Sequence, residues 1–335
     1  MEFVQELHKQ ELFQEYAKQT HDYYHVLPFF KHFYLSRKGV ISYVPVHLPW
    51  NRYLLVPLDP LADSENLKEL ICEFENSKEM QKVYAGVSLE TAELLKEEGY
   101  RINDFGSNCH LEFSTFHLQG KEKEYLRRVN NYYKKGLRVV EVSDPSDIWN
   151  EVCDVSSSWQ TEKAVKTKEV RLFTRPLCEK TKWKVRHFFC FNGDKLLGYV
   201  FFDPIFKNTK LVGYVTSVLR ARSGVRPQGV LDYIILKAYE IFKTEIGPSG
   251  YLSLGFAPLA HIEKRPDDLP SLRYLMKFLF RYGTRLYNFQ GLAHHKSLYR
   301  PTYEKLYICT KNISAISAAL GITKARAINV SDYLS

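Results

Sequence analysis

The stretch His187-Phe-Phe-Cys-Phe-Asn-Gly-Asp-Lys-Leu-Leu-Gly-Tyr-Val-Phe-Phe202 decides the fold of this chain. Two apolar runs flank Asn192-Gly193-Asp194-Lys195, and an Asn-Gly pair between such runs is the strongest short-range signal for a β-hairpin. Leu211 to Val218 is a third run rich in β-branched and aromatic residues, which predicts another strand beside the hairpin. The sequence therefore predicts an antiparallel meander in the second half of the chain.

A helix and a further strand are predicted after the meander. The turn Arg226-Pro-Gln-Gly229 precedes apolar residues at helical spacing, up to Phe242. Later elements are a strand from Tyr251 to Gly255, a helix from Leu272 to Leu279 with Ser271 as N-cap, and a strand from Tyr303 to Cys309. A meander, a glycine-bearing turn that opens a helix, and then a strand, a helix and a strand form the order typical of GNAT-type acyltransferases.

The first half repeats a shorter version of this order. Gly39 to Val46 and Arg52 to Leu58 predict a hairpin, Lys82 to Val87 predicts a strand followed by a helix capped by Ser88, and His110 to Phe113 predicts another strand. We therefore expect an α+β protein with two GNAT-like units in tandem, each a mixed, mostly antiparallel sheet flanked by helices. The predicted units are residues 1–118 and 119–335, and the second carries the candidate active site.

Composition and charge indicate which partners and which cellular compartment this protein is suited to. The 335 residues include 47 Lys and Arg against 38 Asp and Glu, a net charge of +9 that favours phosphate-rich partners such as nucleic acid or an anionic lipid surface. No apolar stretch approaches the roughly 20 residues that cross a bilayer, and the N-terminus lacks the apolar core of a signal peptide. We expect a soluble, cytoplasmic chain that at most touches the inner face of the membrane.

Metal and disulfide chemistry are not indicated by the sequence. The six cysteines lie far apart without a Cys-x-x-Cys motif, and the pair His294 and His295 has no third ligand at a telling distance. We therefore predict no metal site.

Two basic segments are candidate phosphate-binding sites. Between Lys163 and Arg186 there are nine basic and two acidic residues, with aromatic residues interleaved, and a basic helix is predicted from Lys121 to Lys135. Cations mixed with aromatic rings suit the phosphates and bases of a single-stranded RNA end. A solvated loop and helix face is the alternative. The candidate substrate-binding residues in these segments are Arg127, Arg128, Lys163, Lys166 and Lys168.

The turn before the long helix is a third candidate phosphate site. GNAT enzymes hold the pyrophosphate of acyl-CoA there with an Arg/Gln-x-x-Gly-x-Gly/Ala loop at a helix N-terminus. Arg226 and Gly229 match this pattern, but Leu231 fills the last small position. This favours an ordinary turn and disfavours acetyl-CoA as a cofactor.

The C-terminal run Gly291 to Ile308 packs histidine, lysine, arginine, tyrosine and glutamate into a predicted loop that enters the last strand. Such a loop could set a cation on a phosphate and a carboxylate on a reacting amine. Asp232 near the start of the long helix has two readings. It interacts favourably with the helix dipole, or it holds the amino group of a substrate.

Several segments together resemble the soluble C-terminal domain of phosphatidylglycerol lysyltransferases, the aminoacyl-lipid synthase family also called multiple peptide resistance factors. Ser253-Leu-Gly-Phe-Ala-Pro-Leu259 resembles the family's Leu-Gly-Met-Ala-Pro-Leu, and Pro227-Gln-Gly-Val-Leu-Asp232 resembles its Asn/Glu-Gly-x-Met-Asp turn. Residues 291–307 resemble its Gly-Leu-x-x-Phe-Lys-x-Lys-Phe-x-Pro-x-Trp-Glu-x-x-Tyr. Weaker similarity, including Leu126-Arg-Arg-Val-Asn-Asn131, extends from about residue 25 to residue 310.

The resemblance implies an aminoacyl-tRNA donor as co-substrate, no acyl-CoA, and an acceptor hydroxyl on a lipid headgroup or another small molecule. As a hypothesis for the mechanism, we expect cations to neutralise phosphate, carboxylates to bind the aminoacyl amine, and a third group to take the proton. The predicted residues for these roles are Lys296 and Arg300 for phosphate, Glu304 and Asp232 for the amine, His294 or Tyr303 for the proton, and Gly255 for substrate binding.

The chain departs from the family pattern at three points. Leu298 replaces the second lysine of the last motif, His295 replaces its phenylalanine, and the integral membrane half of those synthases has no counterpart among these 335 residues. The lost lysine weakens the case for phosphatidylglycerol as acceptor more than the case for aminoacyl transfer. Two other readings stay open: an acyl-CoA-dependent N-acyltransferase, and a catalytically silent tandem-GNAT module that binds RNA or a partner. The amino acid, the acceptor and the oligomeric state are not indicated.

Overall fold

A computed structural model describes residues 10–28, 30–36, 38–77, 79–161, 168–170, 172, 175–177, 183–225, 228–285, 287–325 and 327–329. Fourteen strands occur in these residues, and six of them precede residue 118. The early strands are β1 (Lys31–Tyr34), β2 (Gly39–Leu48), β3 (Asn51–Val56), β4 (Leu61–Ala62), β5 (Gln81–Val87) and β6 (Arg101–Glu112). The later strands are β7 (Arg138–Glu141), β8 (Lys168–Val170), β9 (Arg186–Asn192), β10 (Lys195–Lys207), β11 (Lys210–Ala221), β12 (Tyr251–Pro258), β13 (Thr302–Thr310) and β14 (Ala327–Asn329).

Helices lie between these strands. Residues 10–16 are helical. The longer helices after them are α1 (Ser64–Ser77), α2 (Leu89–Glu97), α3 (Glu124–Tyr133), α4 (Trp149–Thr161), α5 (Val230–Ile246), α6 (Pro270–Tyr282), α7 (Phe289–Ser297) and α8 (Ala315–Ala325). Short 3-10 helices occur at Asp22–Val26, Lys121–Lys123, Ser146–Ile148 and Gly283–Arg285. Within the part of the chain that the structure describes, none of the helices is long and apolar enough to cross a membrane.

Twelve strands form one sheet in the order β1-β2-β3-β5-β13-β6-β12-β11-β10-β9-β7, with β4 paired to β2. Two pairs, β3 with β5 and β11 with β12, are parallel. The other pairs are antiparallel. Each half of the sheet thus combines one parallel pair with antiparallel neighbours, and helices flank it. The predicted α+β class with two GNAT-like units in tandem is confirmed.

The two halves of the sheet meet at β6 and β13. β13 comes from the predicted second unit, yet it lies between β5 and β6 of the first. β6 in turn pairs with β12 of the second unit. The sheet therefore continues across the predicted boundary between residues 118 and 119, and that boundary stays a prediction.

Gly106 lies in the middle of β6, where the two halves meet. Its φ is +145°, and a Cβ built on it would lie 2.4 Å from the carbonyl oxygen of Ala257 in β12. The register between β6 and β13 shifts next to Gly106, because Leu306 of β13 lies opposite Gly106 while Tyr307 lies opposite Asp104. Only glycine fits this backbone and this close approach of two strands.

The predicted hairpins are confirmed, since β2 pairs with β3 and β9 pairs with β10 in antiparallel register. The predicted N-cap Ser271 is wrong. α6 begins at Pro270, whose missing N–H and fixed φ suit the first helical position, and Leu269 is the N-cap. The last helix among the described residues, α8, is not predicted from the sequence.

Candidate active site

The run that was predicted as a loop before the last strand is instead mostly helical. Phe289 to Ser297 forms α7, and the side chain of Asn288 accepts a hydrogen bond from the backbone N–H of Gly291 at its start, 3.0 Å. Such an N-cap satisfies one of the unpaired N–H groups of the first turn. The helix places His295 and Lys296 on neighbouring positions that meet different partners.

His295 belongs to a network around Asp232, which is buried near the start of α5. One carboxylate oxygen of Asp232 accepts from Tyr299 at 2.5 Å and lies 2.8 Å from Nε2 of His295. The other accepts from the hydroxyl of Tyr125 at 2.9 Å. Burial alone would raise the pKa of Asp232, but these donors outweigh it and lower the pKa below its ordinary value. The carboxylate stays ionised and holds α3, α5 and α7 together.

Lys296 lies where β11 and β12 separate. The two strands pair only at Gly213–Val215 and Tyr251–Ser253. Beyond that pairing, Nζ of Lys296 donates to the carbonyl oxygen of Phe256, 2.7 Å away. Gly255 has a φ of +78°, and a Cβ built on it would lie 3.7 Å from this Nζ. Burial lowers the pKa of Lys296 to about 8, so the amine remains mostly cationic at neutral pH.

Glu304 lies on β13, opposite β6. Its Oε2 accepts from Nδ2 of Asn108 at 3.1 Å and lies 3.1 Å from Nε2 of His110. Oδ1 of Asn108 lies 3.0 Å from Nε2 of His21. Burial would raise the pKa of Glu304, but His110 and Asn108 outweigh it and lower the pKa to about 2. The carboxylate is therefore ionised over the whole physiological range, and an ionised carboxylate only accepts, so His110 is the donor.

The charges of Lys296 and Glu304 both act on the buried imidazole of His21. Burial, the largest cause, lowers the pKa of His21 to about 4, so this ring is neutral at neutral pH. The ring of His110 packs edge-on against Tyr251 with centroids 4.6 Å apart. These groups form one polar interior where the two halves of the sheet meet. We call it the seam cluster, and its members are His21, Asn108, His110, Lys296 and Glu304.

The other side chains predicted for catalysis lie outside the seam cluster. His294 is exposed on α7, and its neighbour His295 takes the place beside Asp232. Tyr303 is partly exposed on β13 and packs its ring against His261, with centroids 4.5 Å apart. Arg300 is exposed, and its Nε lies 3.6 Å from the carboxylate of Glu122. The roles predicted for these residues stay predictions.

The glycine turn and the basic helix pack against each other. Gly229 has a φ of +127°, and a Cβ built on it would lie 2.8 Å from Cγ2 of Val129. Glycine at this position therefore allows the start of α5 to approach α3 closely. Arg127 donates to the carbonyl oxygens of Leu118, at 3.2 Å, and Gly120, while Arg128 is exposed.

Part of the predicted basic surface lies outside the described residues. This holds for Arg226, Lys163 and Lys166, and for the side chain of Lys168, whose backbone begins β8.

An open cavity of about 940 Å³ lies at the C-terminal end of α3. Its other walls are the β9–β10 turn and the loop that follows β11. Among the described residues that line it, three are cationic and none is acidic. The cations and the neighbouring aromatic rings are Lys135, Lys195, Arg222, Tyr132 and Tyr133. Nε of Arg222 donates to the Leu196 carbonyl at 2.8 Å, which fixes this guanidinium at the wall.

Three of the five residues of the seam cluster, His21, Asn108 and His110, are not predicted from the sequence as site residues. Only the end of β6 was predicted, from His110 onward, whereas the strand begins at Arg101. The signal is present in the sequence: this otherwise buried strand carries polar residues, and buried polar side chains in a strand need partners. These residues are Asn103, Asp104, Ser107, Asn108 and His110. His21 lies in a segment without periodic pattern, and nothing local marks it.

Asp22, the residue after His21, is expected to make the stability of the fold depend on pH. Its Oδ2 accepts from the backbone N–H groups of Lys18 and Gln19, both at 2.8 Å, and burial raises its pKa from 3.8 to about 8. Between these values the unfolded chain loses the proton before the folded chain does, so stability falls as pH rises. Asp22→Asn should therefore melt a few degrees above the wild type at pH 8, and at the same temperature at pH 4.

Thermal melts followed by circular dichroism at both pH values test this expectation. Asp154→Asn, at an exposed position of α4, is the control and should leave the melting temperature unchanged at either pH. Equal melting temperatures of Asp22→Asn and wild type at pH 8 would show that the buried carboxyl is not protonated there.

Within the described residues, no group of three or more histidine, cysteine, aspartate or glutamate side chains is placed to hold a metal ion.

Known proteins resemble this chain in sequence and in fold. The phosphatidylglycerol lysyltransferase of Bacillus subtilis (strain 168) is 23% identical over 275 residues, which are 80% of this chain and 31% of the relative. This chain therefore spans about a third of that protein. The structure of L-PGS from Bacillus licheniformis superposes with a TM-score of 0.79 at 18% identity and covers 96% of both chains.

A second solved structure has the same fold. It is the C-terminal domain of an Agrobacterium fabrum protein designated a lysylphosphatidylglycerol synthetase, with a TM-score of 0.79, 17% identity and 98% of both chains covered. Residues 11–310 match the family model described as phosphatidylglycerol lysyltransferase, C-terminal. Because this match extends over most of the chain, the protein belongs to the family of phosphatidylglycerol lysyltransferase C-terminal domains.

Proposed function

We propose that this chain transfers an aminoacyl group from a charged tRNA to the headgroup of a lipid, at the cytoplasmic face of a membrane. The observation that carries the proposal is the presence of two opposite charges in the seam cluster. The ionised carboxylate of Glu304 and the buried cation of Lys296 share one polar interior, where each acts on His21. An aminoacyl ester presents a matching pair of groups, a cationic amine and a carbonyl that becomes negative during the reaction.

The proposed reaction is an exchange of esters. The acceptor hydroxyl oxygen forms a bond to the aminoacyl carbonyl carbon, the bond from that carbon to the ribose oxygen breaks, and the proton of the acceptor passes to the ribose oxygen. Glu304 would pair with the ammonium group of the amino acid, and Lys296 would stabilise the negative charge that develops on the carbonyl oxygen. Because the ester is already activated, holding the two substrates together supplies much of the rate.

Asp232 has a supporting role in this scheme. Its carboxylate already accepts hydrogen bonds from three side chains, so it is poorly placed to bind the amine as well. We propose instead that Asp232 fixes α7, and with it Lys296, through His295.

The tRNA end would enter through the open cavity at the end of α3. Three cations suit phosphates, and Tyr132 offers an exposed ring on which an unpaired base can stack. Tyr125, on the same helix, bonds to Asp232. Tyr132 lies seven positions after Tyr125, which at 1.5 Å per residue places the cavity about 10 Å along α3 from the Asp232 network. A short single-stranded end can bridge this distance.

The double variant Tyr132→Ala/Lys195→Glu should therefore bind RNA less well. We expect about a tenfold loss of affinity for an uncharged tRNA minihelix with a single-stranded 3′ end, because a stacking platform is removed and one phosphate contact is reversed in sign. Fluorescence anisotropy measures this loss.

Lys210→Glu is the matched control, because Lys210 is an exposed lysine at the opposite end of the β10–β11 hairpin from Lys195. It should keep the wild-type affinity. An unchanged affinity of the double variant would remove the cavity from the scheme.

The transfer itself is tested with tRNAs charged with radiolabelled amino acids and vesicles that contain phosphatidylglycerol. Label should move to the organic phase with the wild-type chain, and treatment of the charged tRNA with ribonuclease beforehand should abolish the transfer. Labelled acetyl-CoA in place of the tRNA tests the acyl-CoA alternative. If label stays on the tRNA with every amino acid and lipid tested, the proposed function is wrong.

A further inference from the structure

Three aromatic side chains form a line along the outer face of α6. Tyr274, Phe278 and Tyr282 are 65%, 58% and 61% exposed. They follow one another at intervals of four residues, so they lie on one side of the helix. The opposite side of α6 is buried through Leu272 and Met276. Single exposed apolar side chains are common on protein surfaces, whereas a contiguous row of large ones marks a site of interaction with a protein, a ligand or a membrane.

Neighbouring elements extend this line into a wider surface. α6 packs against α8, and α8 exposes Ile316 and Leu320, again four residues apart. The indole N–H of the exposed Trp50 donates to the hydroxyl of Ser317 on α8, 3.1 Å away. We call the set the aromatic surface, and its members are Trp50, Tyr274, Phe278, Tyr282, Ile316 and Leu320.

The charge around the aromatic surface is positive. Lys277 and Arg281 are exposed on α6 between the aromatic residues, and neither α6 nor α8 contains an acidic residue. The carboxylate of Glu263 acts electrostatically on Lys277, but it is itself paired with Lys305. An apolar surface with tyrosine and tryptophan rings and flanking cations has the composition of elements that lie in the headgroup region of an anionic bilayer.

We infer that the aromatic surface binds the chain to a bilayer that contains anionic lipid. This inference rests on the proposed function, since transfer to a lipid headgroup requires the chain to reach the membrane. The position of the surface supports it, because α6 packs against α7, the helix that carries Lys296. Rings immersed among the headgroups would thus bring the seam cluster close to its lipid acceptor.

Flotation of the full chain with vesicles, without tRNA, tests the inference. The wild type should float with an equal mixture of phosphatidylcholine and phosphatidylglycerol. The variant Phe278→Ser/Tyr282→Ser should bind at least about tenfold more weakly, because two rings no longer enter the interface. The variant Lys277→Glu/Arg281→Glu should lose the preference for phosphatidylglycerol over phosphatidylcholine alone.

Leu89→Ser/Ile241→Ser is the matched control, since both residues are exposed and apolar but lie outside the aromatic surface. It should float like the wild type, and thermal melts establish that each variant is folded. Wild-type chain that does not float, or a Phe278→Ser/Tyr282→Ser variant that floats equally well, overturns the inference. A dimer in sedimentation that this variant converts to monomer, without flotation of the wild type, would assign the surface to a second copy instead.

Failure of this inference can be told apart from failure of the proposed function. A chain that floats through the aromatic surface but transfers no amino acid keeps the inference and removes the function. A Phe278→Ser/Tyr282→Ser variant should still transfer to a short-chain, water-soluble phosphatidylglycerol while losing transfer to vesicles. Equal losses with both acceptors would place the effect at the reaction rather than at the membrane.

Discussion

Glu304→Gln is expected to lower kcat/KM for aminoacyl transfer about a hundredfold. The amide has the shape of the carboxylate and can still accept from Asn108 and His110, so the local fold should persist. It carries no charge to pair with the ammonium group of the aminoacyl donor, and a charge-assisted hydrogen bond contributes about 3 kcal/mol. Initial rates over a range of charged tRNA concentrations measure the ratio.

The control for this variant is Glu263→Gln, which removes a carboxylate that pairs with Lys305 at the surface. Its kcat/KM should equal that of the wild type. The low pKa of Glu304 adds a second expectation, that acid does not titrate this group above about pH 4. Wild-type kcat/KM in Glu304→Gln would exclude recognition of the amine by this carboxylate.

Gly106→Ala should destabilise the fold by at least about 3 kcal/mol. The new Cβ would lie 2.4 Å from the carbonyl oxygen of Ala257 and within 3 Å of the ring of Phe256, and φ at this position is +145°. The backbone strain and the steric clash both occur where β6 joins the two halves of the sheet. The clash can be removed only if β6 moves away from β12. Urea unfolding followed by circular dichroism measures the free energy of unfolding.

Gly136→Ala is the control for this change, because no atom lies within 4 Å of the Cβ position there and φ is not positive. It should unfold at the wild-type urea concentration. A Gly106→Ala variant as stable as Gly136→Ala would mean that β6 and β12 can move apart at no cost.

The sequence predicted those elements whose signals are local. The hairpin around Asn192-Gly193 and the long helix after Gly229 are marked by turn residues and by regularly spaced apolar residues within the segments themselves. Most of β6 escaped prediction because its buried polar residues break the alternation expected of a strand. The insertion of β13 between β5 and β6 could not be predicted at all, since pairing between strands far apart in sequence leaves no local trace.

The candidate site was only partly predictable for the same reason. Lys296 and Glu304 were selected through their place in a family motif, and the structure puts both in the seam cluster. His21, Asn108 and His110 come from the first half of the chain and reach the site only through the shared sheet. The resemblance carried no information on these three residues, because none of them lies in the motifs that support it.

The position of β13 constrains how the nascent chain folds on the ribosome. The first unit lacks its strand between β5 and β6 until residues 302–310 have emerged from the exit tunnel, so its sheet stays open until then. Contacts this distant in sequence are slow to form and leave unpaired strand edges exposed in the meantime. Chaperones that cover such edges would therefore act on the first unit until β13 has emerged and paired with β5 and β6.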